Sequence, residues 1–134
     1  MVTIAHGRGK QMSEIVRRYF DKLTARDQIG LEDLFTKGAD ISFKGIGDYA
    51  GPLSAARFAK DFYNSFPAFT PLKITLIETG NHVGVECMAN GKVATDKEFS
   101  DIGFAHFFIL SSGRIKRLTV YADMPGLRAQ VGKW

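Results

Sequence analysis

Three side chains in this sequence could do chemistry: Tyr19, His106 and Asp123. A phenol can donate a hydrogen bond to a ligand oxygen, an imidazole can accept a proton near neutral pH, and a carboxylate at a strand end can act as general base. Each also has a plain structural use. Tyr19 lies on an apolar helical stripe, where aromatic residues pack; His106 stands between Phe104 and Phe108; Asp123 precedes Met124-Pro125-Gly126, where a carboxylate caps the next turn. Tyr19 is the strongest of the three, because Ile15 and Val16 one turn earlier have no polar atoms and its hydroxyl can offer a proton inside an apolar space. Asp101, near the end of its strand, is a reserve carboxylate.

Other chemistries find little support. His6 and His82 have no second histidine, cysteine or carboxylate at metal-ligand spacing, so no metal is expected. Cys87 has no basic sequence neighbour to activate it and reads as a small buried apolar residue. Gly7-Arg8-Gly9 and Gly45-Ile46-Gly47 lack the strand-to-helix setting of a phosphate loop, so no nucleotide is expected, and no other cofactor.

With 134 residues and 45% apolar content, the chain is long enough for one domain with a real core. Residues 1–11 have no apolar period and read as a flexible tail ahead of a single domain over 12–134. One cysteine excludes an internal disulfide, and the start of the sequence lacks the order of a signal peptide, so the expected location is the cytoplasm. No apolar run approaches the roughly 18 to 20 residues of a membrane span. The net charge of +4 is scattered instead of gathered into a stripe, which argues against nucleic-acid binding.

The elements that must position the candidates follow from periodicity. Met12, Ile15, Val16, Tyr19, Phe20 and Leu23 mark an amphipathic helix with Ser13 as a candidate cap. Asp27 can cap a shorter helix carrying Ile29, Leu31, Leu34 and Phe35, stopped by Gly38. Asp40–Lys44 alternates as a strand, and Pro52 suits the start of a third helix ending near Pro67. Strands at 69–79 and 82–90 turn at Gly80-Asn81, and residues 91–98 read as a loop or a frayed strand edge. Two long strands between Phe99 and Asp123 are joined at Ser112-Gly113, which pairs Ser111 with Arg114. A regular ladder from that turn puts Ala105, Leu118, Val120 and Ala122 on the inner face. It sends His106 outward with Phe104, Phe108, Leu110, Ile115 and Tyr121, an apolar surface suited to a homodimer.

The fold class is α+β: a cone-shaped, curved, mostly antiparallel sheet with three helices packed on its concave face. The element order, Ile15 to Asp27, Leu34-Phe35 with Ala39-Asp40, Gly51-Pro52, and Gly113 to Asp123 resemble the nuclear transport factor 2-like superfamily. Within it the chain is similar to SnoaL-like polyketide cyclases, ketosteroid isomerases and limonene epoxide hydrolases. The isomerase resemblance implies Tyr19 as oxyanion donor, while Gly45 and Ala105 stand where that family has its base and second donor. The hydrolase resemblance implies strand positions that here are Phe43, Gly45, Cys87, Ala89 and Val120, which excludes that chemistry. The cyclase resemblance implies an aspartate at Val120, leaving His106 and Asp123 as substitutes.

The expected function is therefore a cofactor-free cyclase, isomerase or hydrolyase acting by acid–base chemistry on an apolar cyclic or polyketide-like substrate. Tyr19 would be the donor, His106 or Asp123 the acceptor, and Phe43, Phe62, Val85, Cys87, Ala105, Leu118 and Val120 the pocket wall. The alternatives are a non-catalytic binder of a hydrophobic ligand and a dimeric protein-interaction module.

Overall fold

The stripe Val16, Tyr19, Phe20 and Leu23 is buried along one side of helix α1, Lys10–Ala25. The computed structural model describes the backbone of residues 2–6 and 10–133 and the side chains of 14–133. Since α1 starts at Lys10, Ser13 lies inside the helix and is not its cap. Arg26, in the left-handed region at φ 57°, ends it. From there its guanidinium donates to the carbonyls of Tyr63 (3.2 Å) and Pro67 (2.9 Å) and lies over the Tyr63 ring at 5.1 Å. Tyr63 belongs to helix α3, Ser54–Ser65, and its hydroxyl donates back to the Lys22 carbonyl at 2.9 Å. These bonds tie the C-terminal ends of both helices together, which fixes α1 and the angle at which Tyr19 enters the core.

Helix α2, Gln28–Glu32, is capped by Asp27, whose carboxylate accepts from the Gly30 N–H at 2.9 Å. It is shorter than its apolar pattern suggests. Phe35 already opens a strand running to Phe43, and the Ile115 N–H donates to the Leu34 carbonyl at 2.8 Å. Leu34 and Phe35 thus serve the sheet, and Gly38, at φ 75°, marks an irregularity in that strand instead of a helix stop.

The strands are β1 Val2–His6, β2 Phe35–Phe43, β3 Gly47–Tyr49, β4 Ala68–Thr79, β5 His82–Lys92, β6 Glu98–Ser111 and β7 Arg114–Ala122. They form one sheet in the order β1-β4-β5-β6-β7-β2-β3, parallel at β1/β4 and β2/β7 and antiparallel elsewhere. β1 falls within the stretch expected to be a tail, and residues 7–9 of that stretch lie outside the described residues. The loop expected over 91–98 is narrower, because Lys92 pairs with Glu98.

Among the antiparallel pairs, three one-residue irregularities bend the sheet. One lies in β4 near Lys73 (φ 53°), one in β6 near Asp101 (φ 55°), and one in β7 at Lys116. Each places an extra residue opposite a continuous partner, which increases local twist and curls the strands around α1 and α3. The turn at Ser112-Gly113 is as expected, with Ser111 opposite Arg114. Immediately beyond it, Leu110 faces Ile115 while Ile109 faces Arg117, so Lys116 is the extra residue.

That residue reverses the expected relation between the two strands. His106 turns inward opposite Val120, Phe108 opposite Leu118 and Phe104 opposite Ala122, whereas Ala105 lies on the outer face opposite Tyr121. Ala105 is therefore not part of an inner pocket wall. Phe104, Phe108, Leu110 and Ile115 are core residues and not an outer patch; Tyr121 is the member of that group left outside. The chain closes with α4, Met124–Val131, which buries Leu127 and Val131 and fixes Gln130 to both backbone groups of Ser100 (2.8 and 2.7 Å).

Candidate functional site

Tyr19 and His106 meet in the core. Tyr19 comes from the middle of α1, His106 from the middle of β6, and their ring centroids are 5.5 Å apart at 71°. The register explains why His106 is there. Leu76, Val85, His106, Val120 and Phe43 form one row across β4, β5, β6, β7 and β2, so the imidazole has an aliphatic neighbour on each adjacent strand. Along its own strand it is stacked between Phe104 (6.3 Å, 26°) and Phe108 (6.1 Å, 12°). Phe20, next to Tyr19 on α1, brings its ring to 4.9 Å from the imidazole.

Both polar groups are fully buried, and the Tyr19 hydroxyl and both His106 ring nitrogens have no hydrogen-bond partner among the described residues. A buried polar group left without a partner costs about 1 to 3 kcal/mol. A phenylalanine at either position would keep a ring and avoid that cost. The surroundings also keep both groups neutral: burial pushes the His106 imidazolium pKa down to about 3. Burial first, then the neighbouring Cys87 and Tyr63, hold the Tyr19 phenol well above its ordinary range. A neutral imidazole has one donor and one acceptor nitrogen, and a neutral phenol donates, so the pair can hold an oxygen that both accepts and donates. In apolar surroundings such bonds are stronger than in water.

The other expected residues divide clearly. Phe43, Phe62, Val85, Cys87, Leu118 and Val120 are all buried on the inner side, with Phe43 stacked on Phe66 at 6.0 Å and 5.8 Å from Phe62. Asp123 is not brought to the pair. It is exposed past the end of β7, three residues beyond the His106 partner Val120, and its carboxylate caps α4 by accepting from the Gly126 N–H at 3.0 Å. Asp101 is also exposed, in the β6 irregularity, where its N–H donates to the Asn90 side chain at 2.9 Å.

Sequence reasoning missed three residues. By its spacing Phe20 is an ordinary member of the stripe, yet it is the α1 side chain that covers His106 from the edge; its place beside Tyr19 is the available signal. Glu78 is a fully buried carboxylate on β4, in phase with the inward Ile74 and Leu76. Ser54, the first residue of α3, buries a hydroxyl without a partner. Nothing in the local sequence around the last two marks them.

On the inner side, α1 and β4 leave a groove of about 350 Å³ lined by Val16, Arg17, Phe20, Thr24, Ile74 and Leu76, among others. A wider groove of about 550 Å³ on the opposite face of the sheet runs past Lys73, Glu86, Met88, Gly103, Ala105 and Tyr121. No helix among the described residues is long and apolar enough to cross a membrane.

Comparison with known proteins agrees with this architecture. The profile of the SnoaL-like domain matches residues 16–118. A candidate polyketide cyclase from Xanthomonas campestris pv. campestris superposes with a TM-score of 0.80 at 18% identity, over 91% of this chain and 97% of that one. A protein with a ketosteroid isomerase-like fold from Catenulispora acidiphila, in complex with trimethylamine, gives 0.78 at 18% identity over 89% and 92%. TerC, co-crystallised with polyporic acid, gives 0.76 at 14% identity over 92% and 100%. No curated protein matches the chain by sequence. At these identities the structural likeness establishes the fold.

Proposed function

The chain belongs to the SnoaL-like domain family, and from that premise we propose that it is a small-molecule pocket protein: a cofactor-free cyclase, isomerase or hydrolyase acting on an apolar cyclic or polyketide-like substrate. The observation that carries this reading is the buried pair Tyr19 and His106, whose hydroxyl and ring nitrogens have no partner among the described residues. Proteins of the same fold, one in complex with trimethylamine and one co-crystallised with polyporic acid, lend it support.

The chemistry is enolisation. Tyr19 donates to a carbonyl oxygen of the substrate, and a proton on the adjacent carbon moves to the acceptor nitrogen of His106. Its electron pair forms the carbon–carbon double bond of an enolate whose oxygen is held by the tyrosine. Return of the proton to another carbon completes an isomerisation; alternatively, attack of the enolate carbon on a second carbonyl closes a ring, and the alkoxide formed takes the proton back from the His106 imidazolium. Phe43, Phe62, Val85, Cys87, Leu118 and Val120 supply the apolar wall.

A second reading, binding without turnover, has its own support. An imidazole whose conjugate acid lies at about 3 is a weak base, and no carboxylate among the described residues is hydrogen-bonded to either member of the pair. In both readings the protein pairs with a second copy through the outer sheet face. There Phe107 and Tyr121 pack edge to face at 6.0 Å and remain 51% and 46% exposed. One experiment separates the readings: incubate the protein with 2-tetralone in D₂O and follow binding and α-proton exchange by NMR. Exchange above the buffer rate that is lost in Tyr19→Phe and His106→Asn supports the enzyme. Binding without exchange supports the carrier, and absence of both in a panel of cyclic ketones and phenols overturns the site.

A further inference from the structure

Tyr19 and His106 are sealed from solvent, so a ligand must displace part of the shell, and the contacts show which part. Phe20 belongs to two surroundings at once. Its ring lies 4.9 Å from His106 and 5.0 Å from Tyr19, and it also lines the groove between α1 and β4. The groove's other wall includes Leu76, which stands in the same cross-sheet row as His106 with only Val85 between them. At about 4.8 Å per strand, that wall of the groove is therefore roughly 10 Å from the imidazole.

The wider groove across the sheet offers no such route. It touches Cys87 and Phe104, but both side chains are buried on the inner face while Gly103 and Ala105 alternate outward, so the strands themselves stand between that groove and His106. Phe104 and Phe108 flank the imidazole within β6, inside the sheet. Phe20 projects instead from a helix, where a change of χ1 moves one ring and leaves the ladder intact.

We infer that ligands reach Tyr19 and His106 through the α1–β4 groove and that Phe20 is the gate and specificity-determining residue, swinging aside to admit a flat apolar molecule that carries a carbonyl or phenolic oxygen. The inference rests on the reading of Tyr19 and His106 as a binding pair. The planar shape follows from the chemistry on both sides of the gate: aromatic rings wall the pair, and Val16, Ile74 and Leu76 line the approach. Beyond the gate, polar contacts come from the phenol and the imidazole, so the ligand needs one oxygen at its leading edge.

Access and binding are measured separately. For access, the rate at which diethyl pyrocarbonate modifies His106 is read by peptide mass spectrometry, with the exposed His82 in the same chain as reference. His106 should react far more slowly than His82 in the wild type. Phe20→Leu, which keeps an apolar side chain, should raise its rate at least about tenfold, Phe20→Trp should lower it, and Phe104→Leu should leave it near the wild-type value. Equal rates in the wild type and Phe20→Leu, or an equal rise in Phe104→Leu, overturn the gate whatever binds. For binding, 2-naphthol fluorescence is titrated into the same proteins and into Tyr19→Phe. Association faster in Phe20→Leu than in the wild type supports the gate. Naphthol binding that is indifferent to Tyr19→Phe and His106→Asn rejects the binding pair, even where the modification rates obey Phe20.

Discussion

A neutral imidazole stacked between Phe104 and Phe108 is a costly choice of core residue, and its cost depends on pH. In the folded chain His106 protonates at about 3, against an ordinary value of 6.5 for an exposed histidine. Between those limits the unfolded chain binds the extra proton and the folded one does not. Stability is therefore complete above pH 6.5, falls as the pH drops, and levels off below about 3. At about 1.4 kcal/mol per pH unit the full loss is roughly 4 to 5 kcal/mol. His106→Phe should remove this component, so urea midpoints between pH 3.5 and 7 should slope less in the variant. An unchanged slope would mean that the imidazole reaches water. Tyr19→Phe follows the same logic: the ring stays, an unpartnered hydroxyl goes, and folding should be unchanged or improved by up to about 1 kcal/mol. Ligand affinity or turnover should fall by about 1 to 3 kcal/mol in the same protein. A loss of stability with no loss of binding would make Tyr19 a packing residue.

At the scale of elements, Lys116 decides which residues form the site. Helical stripes and the Ser112-Gly113 turn were legible, because apolar period and turn chemistry are local properties. So were Tyr19 on the buried stripe and the inward Val85, Cys87, Leu118 and Val120. The face of His106 was not. Arg114, Lys116 and Arg117 are all long, exposed and basic, so Ile115-Lys116-Arg117 carries no mark that one of them stands outside the ladder. The boundary between α2 and β2 was hidden for a related reason. Leu34 and Phe35 continue a helical spacing as readily as they start a strand, and only pairing with β7 selects the strand. Deleting Lys116 should leave an unbroken ladder in the same register, with Ile109 opposite Arg117 and Phe108 opposite Leu118, so Leu118 and Val120 stay turned to the core and only the local bend is lost. The deletion should therefore still fold with a cooperative thermal transition, at a lower midpoint because the bend is lost, whereas Lys116→Ala should stay within about 0.5 kcal/mol of the wild type. A deletion without a cooperative transition would show that the bend at Lys116, and not the pairing alone, is needed to close the sheet over the helices.

For the whole molecule, the same reversal separates the two faces of the sheet and with them the two proposed roles, ligand binding and self-association. Phe104, Phe108, Leu110 and Ile115 are spent on the core, so the outer face holds a smaller apolar surface of Phe107, Tyr121 and Ile77, beside the low ground left by Gly103 and Ala105. Phe107 covers Gly84, where an added Cβ would come within 3.7 Å of its ring, so the aromatic lies flat along the sheet. A flat apolar face bordered by Lys73 and Glu86 suits association with its own copy about a twofold axis, since each charge can find its opposite across the axis. Because Phe107 and His106 are adjacent residues on opposite faces, the two roles can be cut apart. The wild type should sediment as a dimer at about 10 μM, in the micromolar range of modest interfaces. Phe107→Arg should sediment as a monomer while 2-naphthol binding stays near the wild-type value. His106→Asn should do the opposite, weakening binding in a protein that remains a dimer. A monomeric wild type would remove the outer face from the account of assembly. Loss of naphthol binding in Phe107→Arg would mean that the sheet transmits a change at one face to the other, so that pairing and ligand binding act as one equilibrium.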